Sequence, residues 1–146
     1  MSHTILITGA SNGLGAALAE YYAAPEICLA LIGRDPARLA QVSASCTALG
    51  ATVYTASISV TDKQALKAWL EEFDQQHPID LAIANAGVTN MLSKQGSGEE
   101  LADIEQVLDT NLYGVIYTLQ PLIERMRARK QGQLAIVSSL AAWRGM

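Results

Sequence analysis

A three-layer α/β fold with a doubly wound parallel sheet is predicted for this chain by three observations. Short aliphatic runs alternate with helical stretches from the first residues onward, the pattern of βαβ units with right-handed crossovers. The runs are continuously apolar, as in strands buried on both faces. Half of the 146 residues are hydrophobic but only 5% are aromatic, so Ala, Leu, Ile and Val must build the core. The length suits one ordinary domain, residues 1–146, and no repeat, linker or shift in composition divides it.

Thr4 to Ile7 is the first run, and a glycine turn then opens a helical stretch to about Ala24. Ile27 to Ile32 is the second and ends at Gly33-Arg34. Asp35 is placed to cap the next helix, with Pro36 at its first position, where a missing N–H costs nothing, and Gly50 closes it. Thr52 to Ser57 is the third run. Thr61 with Gln64 makes a capping-box pattern that opens a helix through Gln76, and Pro78 stops it. Ile79 to Ala84 is the fourth run. After a polar loop from Ser93 to Gly98, Ser97 with Glu100 repeats the capping-box pattern. One long helix is expected from there to about Lys130, with Gly114 and Pro121 as points where it bends. Leu134 to Ser138 is the fifth run.

Several function classes are disfavoured. A formal net charge of -4 gives no global attraction to nucleic acid or to an anionic membrane. No apolar stretch approaches the ~20 residues of a membrane span, and the first strand follows Met-Ser-His directly, with no signal segment before it. Cys28 and Cys46 sit at no metal-ligand spacing and read as packing thiols of a reducing compartment, so a cytoplasmic location is expected. Arg125, Arg127, Arg129 and Lys130 end a helix, where cations are favoured anyway, and no aromatic residue interleaves them as in a nucleic-acid surface. His3 and His77 are lone, so no metal site is expected, and Trp69 reads as a packing residue.

The chemistry begins at TILITGASNGLGAALAE, residues 4–20. Gly9 lets the chain turn off the strand, Gly13 lets backbone approach a pyrophosphate, and Gly15 lets the helix pack closely on the sheet. The helix N-terminus offers unpaired N–H groups and a positive dipole end to phosphates. A glycine turn between the first strand and the first helix makes the fold Rossmann-type and the ligand a dinucleotide. At the end of the second strand, where an acid would bond the adenosine ribose of NAD, stand Gly33 and Arg34. A glycine leaves room, and a guanidinium clamps a 2′-phosphate through two charge-assisted bonds, which favours NADP(H) over NAD(H). In the alternative, Arg34 is a solvated loop charge and Asp35 serves the ribose.

Four motifs in register between Thr4 and Gly145 together resemble the N-terminal part of a short-chain dehydrogenase/reductase. They are TGASNGLG from Thr8 to Gly15, ANAG with Asn85, Ala86 and Gly87, the N-x-x-G from Asn111 to Gly114, and Ser139 after Ser138. The resemblance implies a cofactor site of Gly9, Ser11, Asn12, Gly13, Leu14, Gly15, Gly33, Arg34, Ser59, Asn85, Ala86 and Gly87. Asn85 would tie neighbouring strands beneath the cofactor, with Ala86 and Gly87 lining its adenine-ribose side. Asn111 would hold a water in a proton relay, and Ser139 would hydrogen-bond the substrate oxygen as hydride moves to or from nicotinamide. A small carbonyl or alcohol substrate and a homo-oligomeric enzyme are implied in the same way.

The pattern is departed from in four places. Ser59 replaces the usual acid that contacts adenine, Ala84 replaces the first residue of NNAG, and Asn12 replaces a basic 2′-phosphate contact in the turn. The family's proton donor is a tyrosine with a lysine four residues later, about a dozen residues beyond the serine. Here Tyr21, Tyr22, Tyr54, Tyr113 and Tyr117 are followed at that offset by Pro25, Glu26, Ile58, Tyr117 and Pro121. The chain is therefore expected to be a truncated copy that is inactive alone, with the fifth strand as an apolar edge. Trp143 reads as a packing residue or, lying just past Ser139, as a border of the substrate pocket. The alternative function is a non-catalytic NADP(H)-binding or redox-sensing module, which would need neither Asn111 nor Ser139. A Rossmann-like methyltransferase fits poorly, because its second strand should end in an acid.

Overall fold

The computed structural model describes residues 3–89 and 100–140. Strands β1 (His3–Thr8), β2 (Ile27–Gly33), β3 (Thr52–Ser57), β4 (Leu81–Ala84) and β5 (Gln133–Ile136) form one parallel sheet in the order β3-β2-β1-β4-β5. Helices α1 (Gly13–Tyr22), α2 (Pro36–Ala48), α3 (Lys63–Gln76), α4 (Leu101–Leu108) and α5 (Gly114–Arg129) cover its faces. The three layers and the parallel sheet are those expected.

The apolar runs are continuous because successive side chains serve two cores. Ile5, Ile7, Leu29 and Leu31 pack with Ala19, Leu39, Val42 and Cys46 beneath α1 and α2. Leu6, Ala30, Ile32 and Ala82 point the other way, onto Leu66, Leu70, Leu119 and Leu122 of α3 and α5. A fully buried Leu or Ile contributes about 2 kcal/mol over an exposed one, so β1 and β2, sealed on both faces, anchor the domain. Both cysteines are free and buried, which pushes both thiols above the usual range; Glu20 adds to the rise at Cys46, and a hydrogen bond with Thr4 partly offsets it at Cys28. They are packing groups rather than nucleophiles.

Several local expectations are corrected. Asp62, not Thr61, caps α3: its Oδ1 accepts from Ala65 N at 3.0 Å, while the Thr61 hydroxyl pairs with Ser59 Oγ at 2.8 Å. Either residue type can cap, and the carboxylate is the stronger acceptor. β4 begins at Leu81 rather than Ile79, because the Ile79 N–H is diverted to Asp74 Oδ1 (2.9 Å) and its carbonyl to Arg129. β5 spans Gln133–Ile136; one further ladder bond, Val137 N to Ala84 O at 3.0 Å, ends the pairing where β4 ends.

The expected long helix is three segments. A π-helical stretch, Asp109–Tyr113, separates α4 from α5, and the Gly114 N–H reaches back to Asp109 O. Just beyond it, a Cβ on Gly114 would lie 2.6 Å from Val60 Cγ2, so the helix approaches the β3–α3 connection at glycine range. Pro121, by contrast, sits inside an unbroken α5. Ser97 and Trp143 lie outside the described residues.

Two residues of the basic run at the end of α5 are committed inside the molecule. Asp74, 3% exposed, faces Arg129 Nη1 at 2.9 Å and Arg125 Nη1 at 3.5 Å, which fastens α3 to α5. His3 lies 3.3 Å from Asp80, and His77 packs against Tyr54 and Phe73, on which Trp69 also stacks. Among the described residues, no helix is long and apolar enough to cross a membrane.

Candidate functional site

From β1 the sheet is built outward in two directions, through β2 and β3 on one side and β4 and β5 on the other. At such a switch point the loops after β1 and β4 part, and a crevice opens beyond the strand C-termini. It is present here as a cleft of about 330 Å³.

Its floor is the glycine turn. Gly9 has φ +67°, and a Cβ there would lie 2.8 Å from Ala86 Cα; a Cβ on Gly15 would collide with the Gly9 carbonyl. The turn thus folds back on itself and on the segment after β4 at a range only glycines permit. Ala10 N donates to Ile32 O at 3.0 Å, fastening the turn to the end of β2. At the N-cap of α1, Asn12 makes no side-chain capping bond, and the first turn carries no acid. The N–H groups of Gly13, Leu14 and Gly15 have no intrahelical acceptor, so this helix end presents donors and a positive dipole end.

The wall is the segment after β4. Thr8 Oγ1 accepts from Asn85 N and Ala86 N, both at 3.1 Å, and Asn85 Nδ2 donates to Thr8 O at 3.0 Å. The Asn85 side chain thereby joins β4 to β1 beneath the cleft. The opposite rim is Gly33 and Arg34. Asp35 is engaged elsewhere: its Oδ1 accepts from Ala37 N and Arg38 N at 3.0 Å, and its Oδ2 lies 3.3 Å from Arg38 Nε. Arg34 forms no ion pair among the described residues, and it also borders an adjoining groove with Ser59 and Thr110.

All twelve residues named from the sequence for the cofactor line this one cleft. Ile58, Val60, Val88 and Thr110 line it as well and were missed. Each lies next to a residue that was named, so adjacency was the available signal. Asn111 and Ser139 are not among the lining residues. Asn111, in the π segment, turns its amide onto backbone: Oδ1 accepts from Val88 N and Nδ2 donates to Val88 O, both at 2.8 Å. It holds the ANAG segment from outside and keeps one N–H and one lone pair for another partner. Ser139 follows β5, exposed, beyond the same C-terminal ends of the strands.

The family model of the short chain dehydrogenases matches residues 3–146. An uncharacterized oxidoreductase of Myxococcus xanthus is 34% identical over 144 residues, 98% of this chain and 56% of that protein. The 11-beta-hydroxysteroid dehydrogenase 1A of Arabidopsis thaliana is 33% identical over 141 residues, 95% of this chain and 40% of that protein. Among solved structures, a metagenomic short-chain oxidoreductase in complex with NADP superposes with a TM-score of 0.89 at 25% identity, over 99% of this chain and 65% of that one. The chain spans about half the length of the curated relatives it matches. A family model that matches nearly every residue, on a fold of the same kind, makes the chain a member of the short-chain dehydrogenase family.

Proposed function

We propose that this chain binds NADP(H) in preference to NAD(H), and that it is the cofactor-holding part of an oxidoreductase acting on a small carbonyl or alcohol. The observation that carries this reading is the cleft rim, where Arg34 forms no ion pair among the described residues while Asp35 caps α2. A guanidinium free to form two parallel bonds suits a 2′-phosphate, while the neighbouring Asp35 is engaged at the start of α2. The α1 N-terminus suits the pyrophosphate, as unpaired N–H groups at a positive dipole end favour anions.

Bound NADP(H) supplies the hydride; the chain binds and orients. Gly13, Leu14 and Gly15 offer N–H donors to phosphate, and Asn85 fixes the floor by bonding Thr8 O. Asn111 fixes Val88 and, with its remaining N–H and lone pair, holds a water. Ser139 donates a hydrogen bond to the substrate oxygen and steadies charge there. No tyrosine of the 146 residues has a lysine four positions on, so no acid with lowered pKa is placed at that oxygen, a role worth about 10²–10⁴-fold. The chain alone is therefore read as inactive in carbonyl reduction.

Other parts of the reading are carried by single features. Exposed Leu101, Leu112 and Ile116, with Ile136 on the β5 edge, support a homo-oligomer, and two buried free thiols fit the cytoplasm.

Titration calorimetry of the 146-residue chain against NADPH, NADH and S-adenosylmethionine tests the proposal. NADPH is expected to bind at least about tenfold more tightly than NADH, the worth of one good charge-assisted hydrogen bond. Preference for NADH or for S-adenosylmethionine would overturn it. NADPH oxidation by the chain with a carbonyl substrate would overturn the assignment of inactivity.

A further inference from the structure

We infer that Ser11 is a specificity-determining residue that acts through its neighbour: by filling the space beside Gly33, it closes the end of β2 to any side chain and leaves the ribose to be read from position 34. The inference rests on the cofactor reading above.

Gly33 lies in β2, paired with Ser57 of β3, with no positive φ to demand a glycine. What selects glycine there is space. A Cβ at position 33 would stand 3.1 Å from Ser11 Cβ, 3.2 Å from Ser11 Oγ and 3.3 Å from Leu39 Cδ2. Comfortable carbon contacts begin near 3.5 Å, so all three neighbours would have to give way. The elements that carry them are held in place. Ser11 rides on a turn tied to β2 by the Ala10 N to Ile32 O bond. Leu39 is 1% exposed within the α1–α2 core. Gly33 itself is held by the Ile58 N to Gly33 O bond of 3.1 Å.

An acid at the end of the second strand is the usual reader of the NAD ribose. In this chain an acid at position 33 is disfavoured, because its first carbon would stand 3.1 Å from Ser11 Cβ. Residue 34 projects from the next position along, clear of the turn, and inherits the task. Cofactor choice is thus set by two contacting residues on different elements, and their effects must be coupled.

Two double-mutant cycles test this. In the cofactor-free chain, Gly33→Ala should lower the thermal midpoint in the Ser11 background, and Ser11→Gly should recover at least half of that loss. In calorimetry, Gly33→Asp should weaken both NADP+ and NAD+ relative to the parent chain. Adding Ser11→Gly to Gly33→Asp should tighten NAD+ at least about tenfold over Gly33→Asp alone, as a recovered charged hydrogen bond would. Equal losses in both backgrounds, or tight NAD+ binding by Gly33→Asp alone, would overturn the inference. A parent chain that prefers NADH overturns the cofactor reading while the stability cycle still reports on Ser11; one that binds neither dinucleotide overturns both.

Discussion

At the N-terminal ends of the strands, Asp74, Asp80, Arg125, Arg129 and Gln131 satisfy one another. Asp74 takes two arginines and the Ile79 N–H, and Asp80 takes Thr4 N at 2.9 Å and Gln131 Nε2 at 2.7 Å. At the C-terminal ends, the first-turn N–H groups of α1 and the guanidinium of Arg34 face a cleft instead. Both ends are polar and both border cavities. Among the described residues, Arg125 and Arg129 at the first end pair with a carboxylate, and Arg34 at the second does not. A buried charge fully met by protein fixes the packing, whereas an unmet donor beside a cleft is free energy reserved for a ligand. Changes at the first end should therefore cost stability and spare binding, and changes at the second should do the reverse.

The largest effect is expected from Asp74→Ala. It strands Arg125, Arg129 and the Ile79 N–H where α3, α5 and the start of β4 meet, and removing one partner of a buried pair costs about 3 kcal/mol. Urea unfolding should show that loss, and the Kd for NADPH of the folded chain should stay within about twofold, since a polar change far from a ligand adds independently. Arg34→Ala should invert the pattern. NADPH binding should weaken by about 2 kcal/mol, roughly thirtyfold, with NADH and the unfolding midpoint little changed. If Arg34→Ala weakened both dinucleotides equally, the guanidinium would be a general anion attractor rather than a reader of the 2′-phosphate.

This division was half legible in the sequence. The binding end could be read because its demands are local: a turn that doubles back needs glycines at Gly9 and Gly15, and a helix N-terminus needs only its backbone. The stabilising end could not, because Asp74 and Arg129 are 55 residues apart and no spacing rule joins them. The Arg125 to Lys130 run was read as a helix-end effect, whereas Arg125 and Arg129 clamp Asp74. The π stretch was invisible for a similar reason. Asn111 and Gly114 stood out as a pair, yet their neighbours Val88 and Val60 are met only once the sheet is formed. At Thr61 and Asp62 two good caps compete, and composition alone does not choose between them.

Asn111 blurs the division between the two ends, since it serves the binding end while acting as a structural group. Asn111→Ala removes both bonds to Val88, but this backbone is exposed and water replaces much of what is lost. A stability decrease of about 1 kcal/mol is expected, with NADPH binding weakened about threefold as the ANAG segment loosens. A decrease as large as that of Asp74→Ala would show that the binding end is also a stability centre.

The smallest effect is expected at Arg127, which lies between the two arginines that clamp Asp74. It pairs at 3.0 Å with Glu124, one turn back on the same helix, and both side chains are about three-quarters exposed. Such a pair is screened by water and salt and contributes at most about 0.5 kcal/mol. Arg127→Ala should therefore leave the urea midpoint nearly unchanged, whereas Arg129→Ala should shift it clearly, because Arg129 alone reaches Asp74 Oδ2, the Ile79 carbonyl and the Gln131 carbonyl together. Equal shifts from the two substitutions would mean that the run acts through its summed charge at the helix end. Unequal shifts would place the stabilisation in the buried geometry, which is what distinguishes this end of the sheet from the cleft.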